Sequence, residues 1–88
     1  MNTQDMDRLV SEYHAHIQNA ERCSADQAFK EAALNYQQAT EICSRLAERT
    51  TGAEAQEWLK KQAACERRMW KHWAELYKKV WESEPDTG

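Results

Sequence analysis

Residues 29–39 read FKEAALNYQQA. Phe29, then Ala32, Tyr36 and Ala39, fall along one stripe of an α-helix. Rings alternating with methyl-sized side chains let a neighbouring helix come close at each alanine and lock against each ring. Helical-hairpin interaction modules use this pattern. It points to a surface that holds a partner rather than a pocket that performs chemistry.

Outward from this stretch the stripe continues as Ala28, Phe29, Ala32, Tyr36, Ala39, Cys43 and Leu46, which predicts a helix from about Ala25 to Arg49. Ser24 or Asp26 stands ready to cap its start. Upstream, Met6, Leu9, Val10, Tyr13, Ile17 and Ala20 recur at helical spacing and predict a first helix from about Asp5 to Ser24. Downstream, Thr51 with Glu54 forms a capping box after the turn Thr50-Thr51-Gly52. A third helix then runs without a breaker to about Ser83, where Glu84-Pro85 stops it. Its inner stripe is Trp58, Gln62, Cys65, Met69, Trp73, Leu76 and Val80. Short connections make neighbours antiparallel, so the expected fold is all-α: an up-down-up three-helix bundle over residues 1–83 with an extended third helix. Residues 84–88 read as a polar tail or the start of a linker.

Composition agrees. A chain of 88 residues makes one small domain, and chains this short bury only about 60–65% of their unfolded surface, leaving little room for an enclosed active site. Two glycines and one proline give few places to turn. A mean hydropathy of −1.00 describes a very wet surface. The three cysteines, one per helix and without CxxC or close Cys/His spacing, read as reduced, buried or boundary residues of a cytoplasmic protein. The start MNTQDMDRLV has no apolar core for a signal peptide, and no run reaches membrane-spanning length.

The net charge of −3 hides a polarity. Residues 1–59 carry five basic and ten acidic side chains, whereas residues 60–79 carry seven basic and two acidic ones. The bland account is a solvated face that also sets helix neighbours. The sharper one is a docking face for an acidic peptide, with nucleic acid third.

The residues that could carry chemistry show no catalytic, cofactor or metal pattern. His14 and His16 are about 200° apart around a helix and cannot share a metal from one face. His72 stands near the far end of another helix, and all three histidines read as surface or boundary residues. No Ser or Cys has a base at a recognisable spacing, and no Gly-rich turn could cradle a phosphate. The four tryptophans, at 58, 70, 73 and 81, all lie on the third helix, where helical spacing reads as core and interface. No enzyme activity, small-molecule substrate or cofactor is expected.

The Phe29-x-x-Ala32-x-x-x-Tyr36-x-x-Ala39 stripe, with Ala20 and Asp26 upstream, resembles the second helix of microtubule-interacting-and-transport (MIT) domains. The Lys61 to Arg68 stretch loosely resembles that family's third helix, and the likeness covers about residues 6–73. Ala33 and Asn35 depart from the family's leucines, Gln27 stands where Gly is usual, and Cys65 stands where an aromatic is expected. One helix of a tetratricopeptide repeat carries a similar stripe, but no second copy follows at that repeat's spacing. The resemblance implies an adaptor that binds short helical tails, often of membrane-remodelling ESCRT subunits, and is often fused to an AAA ATPase or a protease.

A second apolar stripe on the third helix, Leu59, Ala63, Trp70, Tyr77 and Trp81, lies beside the inner one. The matching flank of the second helix carries Ala33, Gln37 and Thr40. Together they predict a trough for an amphipathic peptide helix. The family's peptide-contact positions, carried over near the third-helix arginine, put Glu66 and Trp70 on the same flank. The third helix should also outrun the second, drawing level with its start at about Glu75. Leu76, Tyr77, Val80 and Trp81 would then project beyond the bundle and mark a self-association or interdomain surface. A self-associating, homodimeric helical bundle is therefore the alternative to a peptide-binding adaptor.

Overall fold

The computed structural model describes residues 3–83, which form α1 (Thr3–Ala25), α2 (Phe29–Arg49) and α3 (Gly52–Ser83). This is the expected all-α three-helix bundle, with no strand among the described residues. Residues 84–88, read as a tail, lie outside the described ones.

The first turn differs from the expected one. The second helix begins at Phe29, not near Ala25, and Ala28 at its N-cap makes no side-chain capping bond. Ser24 and Asp26 belong instead to the end of α1. The Gln27 N–H donates to Ser24 O (3.0 Å) and the Ala28 N–H to Cys23 O (2.8 Å). These are the paired bonds of a Schellman stop, which needs a left-handed residue between them. Gln27 is that residue, at φ +61°. The departure from glycine noted in the sequence therefore falls where a side chain strains the backbone, at about 1 kcal/mol.

At the second turn Thr51 directly precedes α3, which begins at Gly52, and Glu54 lies in its first turn. The Thr50 hydroxyl closes the end of α2 by donating to Leu46 O (2.8 Å). Gly52 has φ +61°, and a Cβ there would meet nothing within 4 Å, so glycine serves the backbone angle rather than close packing.

The middle helix packs against both others and has the widest buried arc: Ala32, Ala33, Tyr36, Ala39, Ile42, Cys43 and Leu46. Near the α2–α3 turn the core is aliphatic and aromatic. Leu9, Ile42 and Leu46 pack with Met6, Val10, Tyr13 and Trp58, and Tyr13 meets Trp58 edge-on at 5.5 Å. Away from that turn the α2–α3 seam proceeds in layers. Cys43 faces Cys65 through hydrogen-bonded thiols. Tyr36 faces His72 at 5.3 Å between rings, and Phe29 lies under Lys79 Nζ at 4.9 Å. Each layer is seven residues back along α2 and seven forward along α3, the spacing that returns a side chain to the same face.

The start of α2 lies beside the Glu75–Lys79 turn of α3, where Phe29 shares a cleft with Glu75 and lies under Lys79. Of the four residues expected to project, Tyr77, Val80 and Trp81 are exposed, whereas Leu76 is half-buried. Val80 thus drops out of the inner stripe, because α2 has ended before it.

Candidate functional site: an aromatic and basic face of the third helix

The seven cations of residues 60–79 divide into two sets. Lys61 lies over Trp58 (5.7 Å), Arg68 over Tyr36 (6.0 Å) and Lys79 over Phe29. These three cover the rings of the bundle, where cation–π attraction and apolar stems favour them. Lys60, Arg67, Lys71 and Lys78 are exposed on the opposite side, and helical spacing lines them up along one strip. Lys60 Nζ is 3.7 Å from Glu57 Oε1 in an exposed pair, which holds it weakly. Beside this strip runs an apolar one. Leu59, Ala63, Trp70, Tyr77 and Trp81 are all exposed, with Trp70 at 61%, Tyr77 at 64% and Trp81 at 75%. Monomeric proteins seldom leave three large rings in one row in water.

The α2 side of the expected trough is less complete. Gln37 is exposed, but Ala33 is fully buried and offers no wall to a ligand. Its methyl lies inside the wide buried arc that α2 acquires from packing on both sides. Thr40 is half-buried, and its hydroxyl donates to Tyr36 O (2.8 Å). Glu66 is exposed on α3. The residues brought together are therefore mainly those of α3, with Gln37 at the edge.

His72 is a correction to the surface reading: only 9% of it is exposed. Nδ1 donates to Arg68 O (2.7 Å), since a carbonyl can only accept. The other ring nitrogen, Nε2, then accepts from the Ser24 hydroxyl (2.8 Å). His16 also has a partner, Asn35 Oδ1 at 3.0 Å, while His14 is exposed. The Ser24–His72 pair, 48 residues apart, was invisible in local spacing. It lines a cleft of about 220 Å³ with Phe29, Lys71 and Glu75. A hydroxyl bonded to an imidazole is half of an acyl-transfer site, which also requires amide donors for an oxyanion. The nearby Gln27 and Ala28 amides are already given to carbonyls of α1. What the pair does is tie the end of α1 to α3. No cluster of three or more metal-ligating side chains occurs among the described residues.

At mid-bundle the three helices meet at Tyr13, Cys43 and Cys65. The Cys43 thiol and the Tyr13 hydroxyl bond to Cys65. The Cys43 bond, with Tyr13, Arg68 and Lys61 assisting, outweighs burial and draws the Cys65 thiol down to about 7. Cys43 is pushed the opposite way, by its bond to Cys65 and by burial. Burial, followed by the two thiols, lifts the Tyr13 phenol to about 12.

No helix among the described residues is long and apolar enough to cross a membrane. Comparison of the chain with protein-family models, with curated proteins and with solved structures finds no match.

Proposed function

We propose that the chain is a non-enzymatic interaction domain that holds a short acidic amphipathic helix along α3. The observation carrying this reading is the row of exposed Leu59, Trp70 and Tyr77 beside the outward cations Lys60, Arg67, Lys71 and Lys78. Apolar side chains of a partner helix would cover the rings, and its carboxylates would meet the basic strip. Ala63, Glu66 and Gln37 would edge the contact, while Ala33 and the committed hydroxyl of Thr40 would not take part. The MIT-like stripe of α2 supports the adaptor class, and a role in trafficking or beside an AAA ATPase belongs to that same proposal.

The test is a tryptophan-fluorescence titration with a Glu-rich amphipathic peptide having leucines at helical spacing, beside its Lys-for-Glu counterpart. The acidic peptide should bind, weaken with added salt, and lose about tenfold or more on Trp70→Ala. Equal binding of both peptides, or none at low salt, would sink the proposal.

The overhanging Tyr77 and Trp81 favour a second reading, a homodimer through the end of α3. Sedimentation at rising concentration separates the two: a dimer that persists on dilution and is lost in Trp81→Ser supports self-association.

A further inference from the structure

The geometry points to Cys43 and Cys65 as a disulfide-forming pair oxidised by hydrogen peroxide. The register of the α2–α3 seam carries this. The layers Phe29–Lys79 and Tyr36–His72 are fixed by their ring contacts. Seven residues further along α2, and seven back along α3, the next layer is cysteine against cysteine. Both are free, buried thiols bonded to each other. A disulfide needs Cα atoms within about 4.4–6.8 Å. The fully buried Ala39, one turn from Cys43, keeps the side chains around this layer small and favours such a close approach. Cys23 is half-buried in the last turn of α1 and belongs to no such layer.

The two thiols have unequal surroundings, which sets the order of events. Cys65 has the Tyr13 hydroxyl, Arg68 and Lys61 beside it, which favour its thiolate over that of Cys43. Its sulfur attacks one oxygen of the peroxide; the O–O bond breaks, a Cys65 sulfenic acid forms and hydroxide leaves. The Cys43 sulfur then attacks the Cys65 sulfur. The S–S bond forms, the S–O bond breaks, and the departing hydroxide takes up the proton that Cys65 released on becoming a thiolate. The proton lost by Cys43 neutralises the other hydroxide. In all, two thiols and one peroxide give one disulfide and two waters. Burial excludes bulky disulfides and leaves a water-sized oxidant as the reagent that fits.

The link would staple α2 to α3 and restrict the unfolded chain around their turn. The experiment treats the folded, reduced 88-residue chain with hydrogen peroxide at neutral pH. Remaining thiols are then alkylated in denaturant and peptides are mapped without reduction. The expected product has lost the mass of two hydrogens, joins the Cys43 and Cys65 peptides, carries the alkyl group on Cys23, and melts higher until dithiothreitol reverses the change. A link that includes Cys23 would overturn the proposal. So would free Cys43 and Cys65 at peroxide doses that oxidise Cys23. These readouts use the unaltered chain. In a Cys43→Ala chain that retains its helical spectrum, Cys65 sulfenic acid should be trapped by dimedone; no trapping would remove Cys65 as the attacking thiol.

Discussion

A single glutamine in a left-handed turn illustrates how backbone conformation can override residue preference. Gln27 holds φ +61° to let α1 stop and α2 begin, and its side chain receives an exposed bond from Lys79 (3.3 Å). Gln27→Gly should therefore stabilise the domain by about 1 kcal/mol, raising Tm by about 4–8 °C. A calorimetric Tm unchanged or lowered would mean that the Lys79 bond outweighs the strain. Tyr13 makes a second residue-level prediction. Burial lifts its phenol to about 12, above the ordinary value of about 10. A raised pKa adds stability that is whole below pH ~10 and lost as pH rises towards ~12. Phenolate absorbance should show a late step near pH 12 that Tyr13→Phe removes. The sequence made the small-residue stripe of α2 legible, but not that Ala33 would be enclosed or that His72 would find Ser24. Periodicity ranks faces of one helix; it does not say how far a second neighbour widens the buried arc, nor which distant hydroxyl meets a ring nitrogen.

At the scale of the element, α3 carries two faces with different duties. Trp73 is half-buried on the inner stripe, whereas Trp70, beside that stripe, is mostly exposed. Trp73→Ala should cost about 2 kcal/mol, less than the 3–5 of a fully buried ring, while Trp70→Ala should hardly move the denaturation midpoint. Equal losses in urea would show that both rings support the core. The helix itself was easy to read because the turn Thr50-Thr51-Gly52 precedes it and no breaker follows before Ser83. Its overhang was also legible, since two helices that start together at one turn and differ in length must part before the longer one ends. The start of α2 was not. Ser24 and Asp26 are good caps by type, but a Schellman stop claimed that segment for the end of α1.

On the scale of the whole molecule, the order of helices in space follows their order along the chain, with α2 between its two sequence neighbours. Contacts between consecutive helices close short loops, so the topology is one that folds quickly, in milliseconds or less. The connections between α1 and α3 are of another kind: side-chain bridges such as Ser24–His72, made across 48 residues. They join parts that approach only after both hairpins exist. Such bridges should be absent from the folding transition state. Ser24→Ala is then expected to speed unfolding and leave the refolding limb of a stopped-flow chevron in place; a slower refolding limb would put the bridge in the nucleus. The layered hairpin would thus govern how fast the domain forms, and the few ties reaching over it how long it lasts.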